Sequence, residues 1–355
     1  MYHKTVRFIK GGMVCLILLN LMSCGSNDDD LVGNWVSRYE IEAGGRTDAV
    51  SVSYEDQGYF GTGYNAENTN EYYNDWWQYD PVLNTYTQLE PFEGARRRDA
   101  VAFACDKNGS GKIYVGTGYD GTDRLTDFWE YDITNNSWRE ITSFDGPSRY
   151  GAIAFTINNK GYVGTGYGEN STYLKDFYCF DPSTETWSKS TALGGNKRSE
   201  AVVFVINNVA YVCTGYNGGY VYDFWKYDGN ANPDVVVWEQ LRDIYDSDDD
   251  ESYDDDYDNI IRNNAVAFVS GGKGYVTTGG RGTSGTVTWE YDPSTDLWDE
   301  KTGFEGIGRM GAVSFSLGDY GYVLTGNSGS HYFSDIWFFQ PDAEQDDNDN
   351  GSSAY

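Results

Sequence analysis

The feature that most constrains this chain is a glycine turn that returns along its length. It reads Gly61-Thr62-Gly63-Tyr64, Gly116-Thr117-Gly118-Tyr119, Gly164-Thr165-Gly166-Tyr167 and Cys213-Thr214-Gly215-Tyr216. Two degenerate copies follow, Thr277-Thr278-Gly279-Gly280 and Leu324-Thr325-Gly326-Asn327. Neighbouring copies lie 55, 48, 49, 64 and 47 residues apart. Around each turn the same events recur, and the third copy, residues 149–187, displays them best. An apolar run at 153–157 is followed by a second run at 161–163 that leads into the turn. An aromatic run at 176–180 ends at the turn signal Asp181-Pro182, and Trp187 opens a fourth run. Aromatic third runs stand also at 75–80, 127–132, 223–228, 289–292 and 335–339. Six residues after the closing Asp comes Tyr86, Trp138, Trp187 or Trp298, and in copy four an insertion delays it to Trp238.

A unit of about 50 residues with four short strands is the pattern of a β-propeller blade. One such sheet is too narrow to bury its own faces, whereas sheets arranged in a ring cover one another. The glycines permit positive φ and close backbone approach. The aromatics of the third and fourth strands fill the widening space between blades. The expected fold class is therefore all-β, a six-bladed propeller. Copy six stops at Phe339-Gln340-Pro341 without a fourth-strand aromatic, and one spare strand stands at the start, residues 31–36 with Trp35. That strand is expected to join the last blade and close the ring, which removes open edges.

Residues 1–23 read as a secretory leader. Lys4, Arg7 and Lys10 form a basic region, and 13–22 is an apolar run shorter than the roughly 20 residues a membrane helix needs. It ends at Leu21-Met22-Ser23-Cys24, which resembles a bacterial lipobox. The resemblance implies lipidation of Cys24 and a membrane partner through that anchor, since each buried methylene contributes about 0.8 kcal/mol. No Asp follows the cysteine directly, but the linker 24–30 ends in Asp28-Asp29-Asp30. That run is similar to the surface-export signal of Bacteroidetes-type lipoproteins, or else is a solvated spacer. The expected location is the outer membrane of a Gram-negative bacterium, on its periplasmic or surface face.

The chain carries 25 basic and 55 acidic residues, a net charge of −30. Removing the three basic residues of the leader, where no acid lies, makes it −33. Such a chain repels nucleic acid, which is excluded as a partner. With Cys15 and Cys24 assigned to the leader and its lipobox, the remaining Cys105, Cys179 and Cys213 are odd in number and read as small buried residues, not a disulfide framework. Residues 31–341 make one propeller domain, and the acidic tail 342–355 is expected to be disordered.

One polar position repeats without exception. Six residues before Val52, Phe103, Phe155, Phe204, Phe268 and Phe315 stand Arg46, Arg97, Arg149, Arg198, Arg262 and Arg309. Innermost strands line a propeller's channel, so equivalent positions form a ring, and guanidinium groups bind carboxylates in bidentate fashion. One expectation is an anion-binding channel mouth. The other is structural, because Asp75, Asp127, Asp176, Asp223 and Asp335 open the third strands at the same end of each blade. Copy five has Val287 there, which leaves Arg262 the residue expected to be open to a ligand.

The insertion at 243–261 holds ten carboxylates. Lengthening a surface loop costs little, roughly 0.6 kcal/mol per doubling. Asp248, Asp250, Asp254 and Asp256 are the candidate ligands for Ca²⁺, although their spacing lacks the order of an EF-hand loop. The competing expectation is a solvated, mobile acidic run, with no cofactor. Outside the leader there is one histidine, His331, which argues against a nucleophile–His arrangement and against a multi-histidine zinc site. No glycine turn leads into a helix in the manner of a phosphate loop.

Taken together, the six copies across about 31–341 resemble kelch repeats of the galactose-oxidase-like superfamily, with Gly-Thr-Gly-Tyr in place of the usual Gly-Gly. The resemblance implies a scaffold, a ligand-binding domain or an enzyme. The copper site of galactose oxidase needs two histidines, and outside the leader this chain has only His331. Six-bladed kelch sialic acid mutarotases handle a carboxylated sugar, but no residue-by-residue match to their catalytic groups is found. The expected function is a lipid-anchored module that binds a carbohydrate or protein partner. The alternative is an enzyme acting on an acidic sugar.

Overall fold

The structure is a computed structural model in which residues 31–38, 40–67, 71–231, 237–246, 252–346 and 348–350 are described. Leu31–Tyr355 forms one compact unit. Met1–Asp30, with the leader and Cys24, lies outside the described residues. Among the described residues there is no α-helix, only a single 3-10 turn at Glu169–Ser171. No described helix is long and apolar enough to cross a membrane.

The principal strands fall into six four-stranded antiparallel sheets. In the third copy the order is Ile153–Ile157, Lys160–Gly164, Phe177–Asp181 and Thr186–Ser190. The sixth sheet is built from both ends of the chain. Asn34–Ser37 pairs with Ile336–Gln340 and sets Trp35 opposite Phe339. The fourth-strand aromatics of other sheets stand in the same register, Trp138 opposite Tyr131 and Trp187 opposite Phe180.

Alternation along the innermost strands divides their residues between two environments. In Ile153–Ile157 the side chains of Ile153, Phe155 and Ile157 are buried between sheets, while Ala154 and Thr156 line the central channel. Each innermost strand packs beside the next, and Val50–Tyr54 touches both Val101–Lys107 and Val313–Leu317, so the first and last copies meet. The buried phenylalanines dictate glycine on the neighbouring sheet. A Cβ at Gly161 would lie 2.0 Å from Phe103, and one at Gly321 2.0 Å from Phe268. Each core cluster therefore spans two sheets, as where Phe103 and Phe128 pack with Phe180 and Trp187.

Two expectations are corrected. The 243–261 insertion is not a solvated run throughout. Ile244, Tyr257, Ile260 and Ile261 are buried in a cluster with Trp289 and Trp298, and the Tyr257 hydroxyl accepts the Trp298 backbone N–H at 2.8 Å. Apolar side chains between the acids outweigh the charge run by reaching the core. The described part of the tail, residues 342–346 and 348–350, is likewise bonded to the first strand. Asn34 Nδ2 donates to Asp349 at 2.7 Å, the Ser37 N–H donates to Asn350 Oδ1 at 2.7 Å, and Asn350 Nδ2 donates to the Trp35 carbonyl at 2.7 Å. These bonds cover the outward edge of Asn34–Ser37, which would otherwise present unpaired backbone groups.

Candidate functional site

The six arginines are in register, but they do not line the channel. Arg46, Arg97, Arg149, Arg198 and Arg309 have side chains with 0% exposure. In the third copy Arg149 forms two parallel bonds to Asp176, 2.8 and 3.0 Å, and Nη1 also donates to the Thr165 carbonyl at 2.8 Å. Arg46–Asp75, Arg97–Asp127 and Arg309–Asp335 repeat the pair, while Arg198 places Nη2 on one Asp223 carboxylate oxygen and Nη1 on the Asp223 backbone carbonyl. An open anion-binding ring therefore gives way to buried ion pairs, because the guanidinium N–H groups are consumed by the third-strand Asp and by backbone carbonyls. Arg262 lacks the acid and donates instead to the carbonyls of Asn259, Ile260, Thr278 and Val287.

The Gly-Thr-Gly turn completes this station. The six threonines, Thr62, Thr117, Thr165, Thr214, Thr278 and Thr325, have φ between 56° and 62°. That region is costly for a β-branched residue, on the order of 1–3 kcal/mol. The turn aims each threonine carbonyl at an arginine Nη1. The following glycine N–H donates to the arginine carbonyl of the next copy, from Gly63 to Arg97 at 2.8 Å through to Gly326 to Arg46 at 2.7 Å. Two residues beyond each arginine stand Asp48, Asp99, Gly151, Glu200, Asn264 and Gly311, all at positive φ. Their backbones bond head to tail. Asp99 N–H donates to Asp48 O at 2.8 Å, Gly151 to Asp99 at 3.0 Å, Glu200 to Gly151 at 2.8 Å, Asn264 to Glu200 at 3.3 Å, Gly311 to Asn264 at 3.1 Å and Asp48 to Gly311 at 2.8 Å. This collar spans one end of the channel. Inside it the lining is Ala49, Ala100, Ala152, Ala201, Ala265 and Ala312, and the cavity of about 530 Å³ is lined mainly by small and apolar residues, with Tyr54 and Glu55 besides and without an arginine.

The chemistry lies on the collar's outer side. Asp48, Asp99 and Glu200 share this end with Arg98, whose Nη1 is 3.2 Å from Asp48 and whose Nε is 3.8 Å from Asp99. Asn263 and Asn264 donate to Glu200 Oε2 at 2.5 and 3.1 Å. Burial raises the Asp48 carboxyl against the opposing pull of Arg98. Burial and then the charge of Asp48 hold Asp99 well above the usual carboxylate range, and burial also raises Glu200. Around these groups runs an arc of half-buried tyrosines. Tyr119, Tyr150, Tyr167, Tyr173, Tyr216 and Tyr220 touch in sequence with ring centroids 4.9–6.2 Å apart. Arg98 lies over Tyr64 and Tyr119, and Arg124 over Tyr150 and Tyr167. In copy five the corresponding places hold Gly280 and Ser284, whereas in copy six Asn327 takes the first place and Tyr332 keeps the second, its ring 6.5 Å from that of Tyr64.

Sequence reasoning singled out the arginines and missed Asp48, Arg98, Asp99 and Glu200. The available signal was positional. Asp, Asn or Gly stands two residues after five of the six arginines, Glu200 being the exception, and these types tolerate positive φ. The tyrosine closing each Gly-Thr-Gly-Tyr turn marked the arc.

Other candidates are placed as follows. Asp254 is buried and Asp256 exposed, while Asp248 and Asp250 lie outside the described residues. Among the described residues no three His, Cys, Asp or Glu side chains converge as a metal ion would require. Cys105 and Cys213 are buried free thiols pushed up to about 12 by burial, and Cys179 is half-buried and free. His331 is exposed and packs on Phe333.

A search of curated proteins by sequence finds no match. The family described as the KLHDC2/KLHL20/DRC7 Kelch-repeats domain matches residues 94–246. Among solved structures, one described as "Structure of YjhT" superposes with a TM-score of 0.69 at 18% identity, covering 84% of this chain and 95% of that one. At that identity the likeness speaks for the fold. With six four-stranded sheets and a kelch-repeat match over copies two to four, the chain is similar to kelch-repeat proteins.

Proposed function

We propose that the six sheets form one closed six-bladed kelch propeller that acts as a binding module, tethered to a membrane through a lipidated Cys24, with its binding face on the outer side of the collar. The observation that carries the reading is the tyrosine arc. Tyrosine presents a large flat surface with a polar tip at low entropic cost, which suits recognition of sugar rings. The surrounding carboxylates and amides supply hydroxyl partners, and Arg98 and Arg124 stiffen the arc from beside it. We take a carbohydrate as the ligand class. A glycan array followed by calorimetry on the best ligand tests it. Tyr150→Ala and Tyr216→Ala should each weaken binding at least ten-fold, and unchanged affinity in both would refute the arc as the site. Closure of the ring is supported by the Trp35–Phe339 pairing and by the Asp48–Gly311 and Gly326–Arg46 bonds. The tether rests on the lipobox pattern. Mass spectrometry of the membrane-extracted protein should find acyl chains on Cys24, and their absence would remove it.

One observation favours a second reading, an enzyme acting on an acidic sugar. Carboxyls held above their ordinary range beside an arginine are suited to moving a proton while the arginine orients a substrate carboxylate. NMR of freshly dissolved sialic acid tests it. Accelerated anomer exchange, lost in Arg98→Ala, supports the enzyme, and an unchanged rate with wild-type protein disposes of it.

A further inference from the structure

Copies one and five contain the same arginine station, completed in different ways. In copy one the Arg46 guanidinium donates to the carbonyls of Ala43, Gly44 and Thr62, and to both oxygens of Asp75 at 2.5 and 2.7 Å. In copy five the backbone part is reproduced by Asn259, Ile260 and Thr278. The third strand there offers only the Val287 carbonyl, which accepts Nη1 at 2.9 Å. Each Nη carries two N–H groups. Nη2 of Arg46 bonds both Ala43 and Asp75, whereas Nη2 of Arg262 has only the Asn259 carbonyl among the described residues.

The charge is likewise unmatched. Arg262 is 3% exposed, and no carboxylate among the described residues lies within ion-pair distance, Glu300 acting on it only at longer range. A buried cation without a partner is strongly disfavoured. Burial accordingly pushes the guanidinium down to about 10. Next to it opens a cavity of about 370 Å³, lined by Arg262, Val287, Asn259, Gly280 and Thr283, with Arg281 as a second cation at the exposed rim. Two arginines therefore share one cavity on a protein of net charge −30.

We propose that this cavity is a carboxylate-binding site, in which the carboxylate of a small organic acid completes the Arg262 station as Asp75 completes that of Arg46. The other copies supply the precedent for the ligand class, because each seats a carboxylate against the same guanidinium geometry. The site lies over copy five and borders the end of the tyrosine arc, where Arg281 lies over Tyr220 at 5.8 Å, but it is built on Arg262 and does not depend on the reading of that arc.

The test is calorimetric titration of the full chain with sodium acetate, against sodium chloride at matched ionic strength. Wild-type protein should show one saturable acetate site. Val287→Asp, which installs the missing acid, should weaken acetate binding at least ten-fold. No saturable heat in wild type, or wild-type affinity in Val287→Asp, would overturn the proposal. Because an added buried acid can disturb folding, the Arg262 Nε–Hε resonance of wild-type protein provides a second reading. It should shift with acetate along the same binding curve, and a resonance that stays fixed through saturation also overturns the site.

Discussion

Behind the collar and in front of it, the molecule follows opposite rules. Behind it, the Arg–Thr–Gly station recurs in six copies, and the ion pair to Asp in five of them. In front, Asp48, Asp99, Gly151, Glu200, Asn264 and Gly311 share one backbone geometry but differ in side chain, and the tyrosine pair is lost in copy five and reduced to Tyr332 in copy six. What repeats holds neighbouring sheets together. What varies around a repeated backbone is where recognition can be built, since the scaffold no longer dictates the residue. Copy five brings the contrast into the buried layer itself, through Val287.

The largest expected effects lie behind the collar. Arg97→Met leaves Asp127 without its partner and should cost about 3–5 kcal/mol in chemical denaturation. Arg262→Met leaves no ion-paired acid behind and should cost well under that, and equal losses at the two stations would erase the distinction drawn between them. Trp35→Ala removes a fully buried indole from the joint between the chain ends and should also cost about 3–5 kcal/mol. A smaller effect of opposite sign is expected at the front. The Asp99 carboxyl is raised in the folded state, so its protonated form is favoured there and stability is lost as pH rises from the ordinary carboxyl value of 3.8 through the folded value. Asp99→Asn should therefore raise Tm at neutral pH, with the gain fading as pH falls towards 4. A gain that persists or grows in acid would contradict the assignment. Smallest in stability is Tyr150→Ala, under about 1 kcal/mol for a half-buried side chain. A large loss there would mean that the arc is part of the scaffold.

The sheets and their count were legible because each copy carries its own turn, aromatic strand and fourth-strand aromatic, and Trp35 could be matched to the copy that lacked one. The arginines were legible as a register and not as an environment. A residue four places before an innermost strand can turn towards the axis or away from it, and the choice is made by the Thr carbonyl and the third-strand Asp. Asp48 and Glu200 were hidden because their role follows from a backbone turn that several residue types adopt. In the insertion, charge masked Tyr257, Ile260 and Ile261, whose burial depends on Trp289 and Trp298 some 30 to 40 residues away. The tail was misjudged for a related reason. Its bonds run to Asn34, Trp35 and Ser37 across the whole length of the chain, beyond what local composition encodes.

The most direct measurement is amide hydrogen exchange at Asp48, Asp99, Gly151, Glu200, Asn264 and Gly311. The account predicts slow exchange at all six, with Asp48 protected as well as the others, because its N–H crosses to Gly311 and joins the first copy to the last. Rapid exchange at Asp48 alone, with the other five protected, would mean an open ring and would contradict the separation of a closed scaffold from the face in front of it.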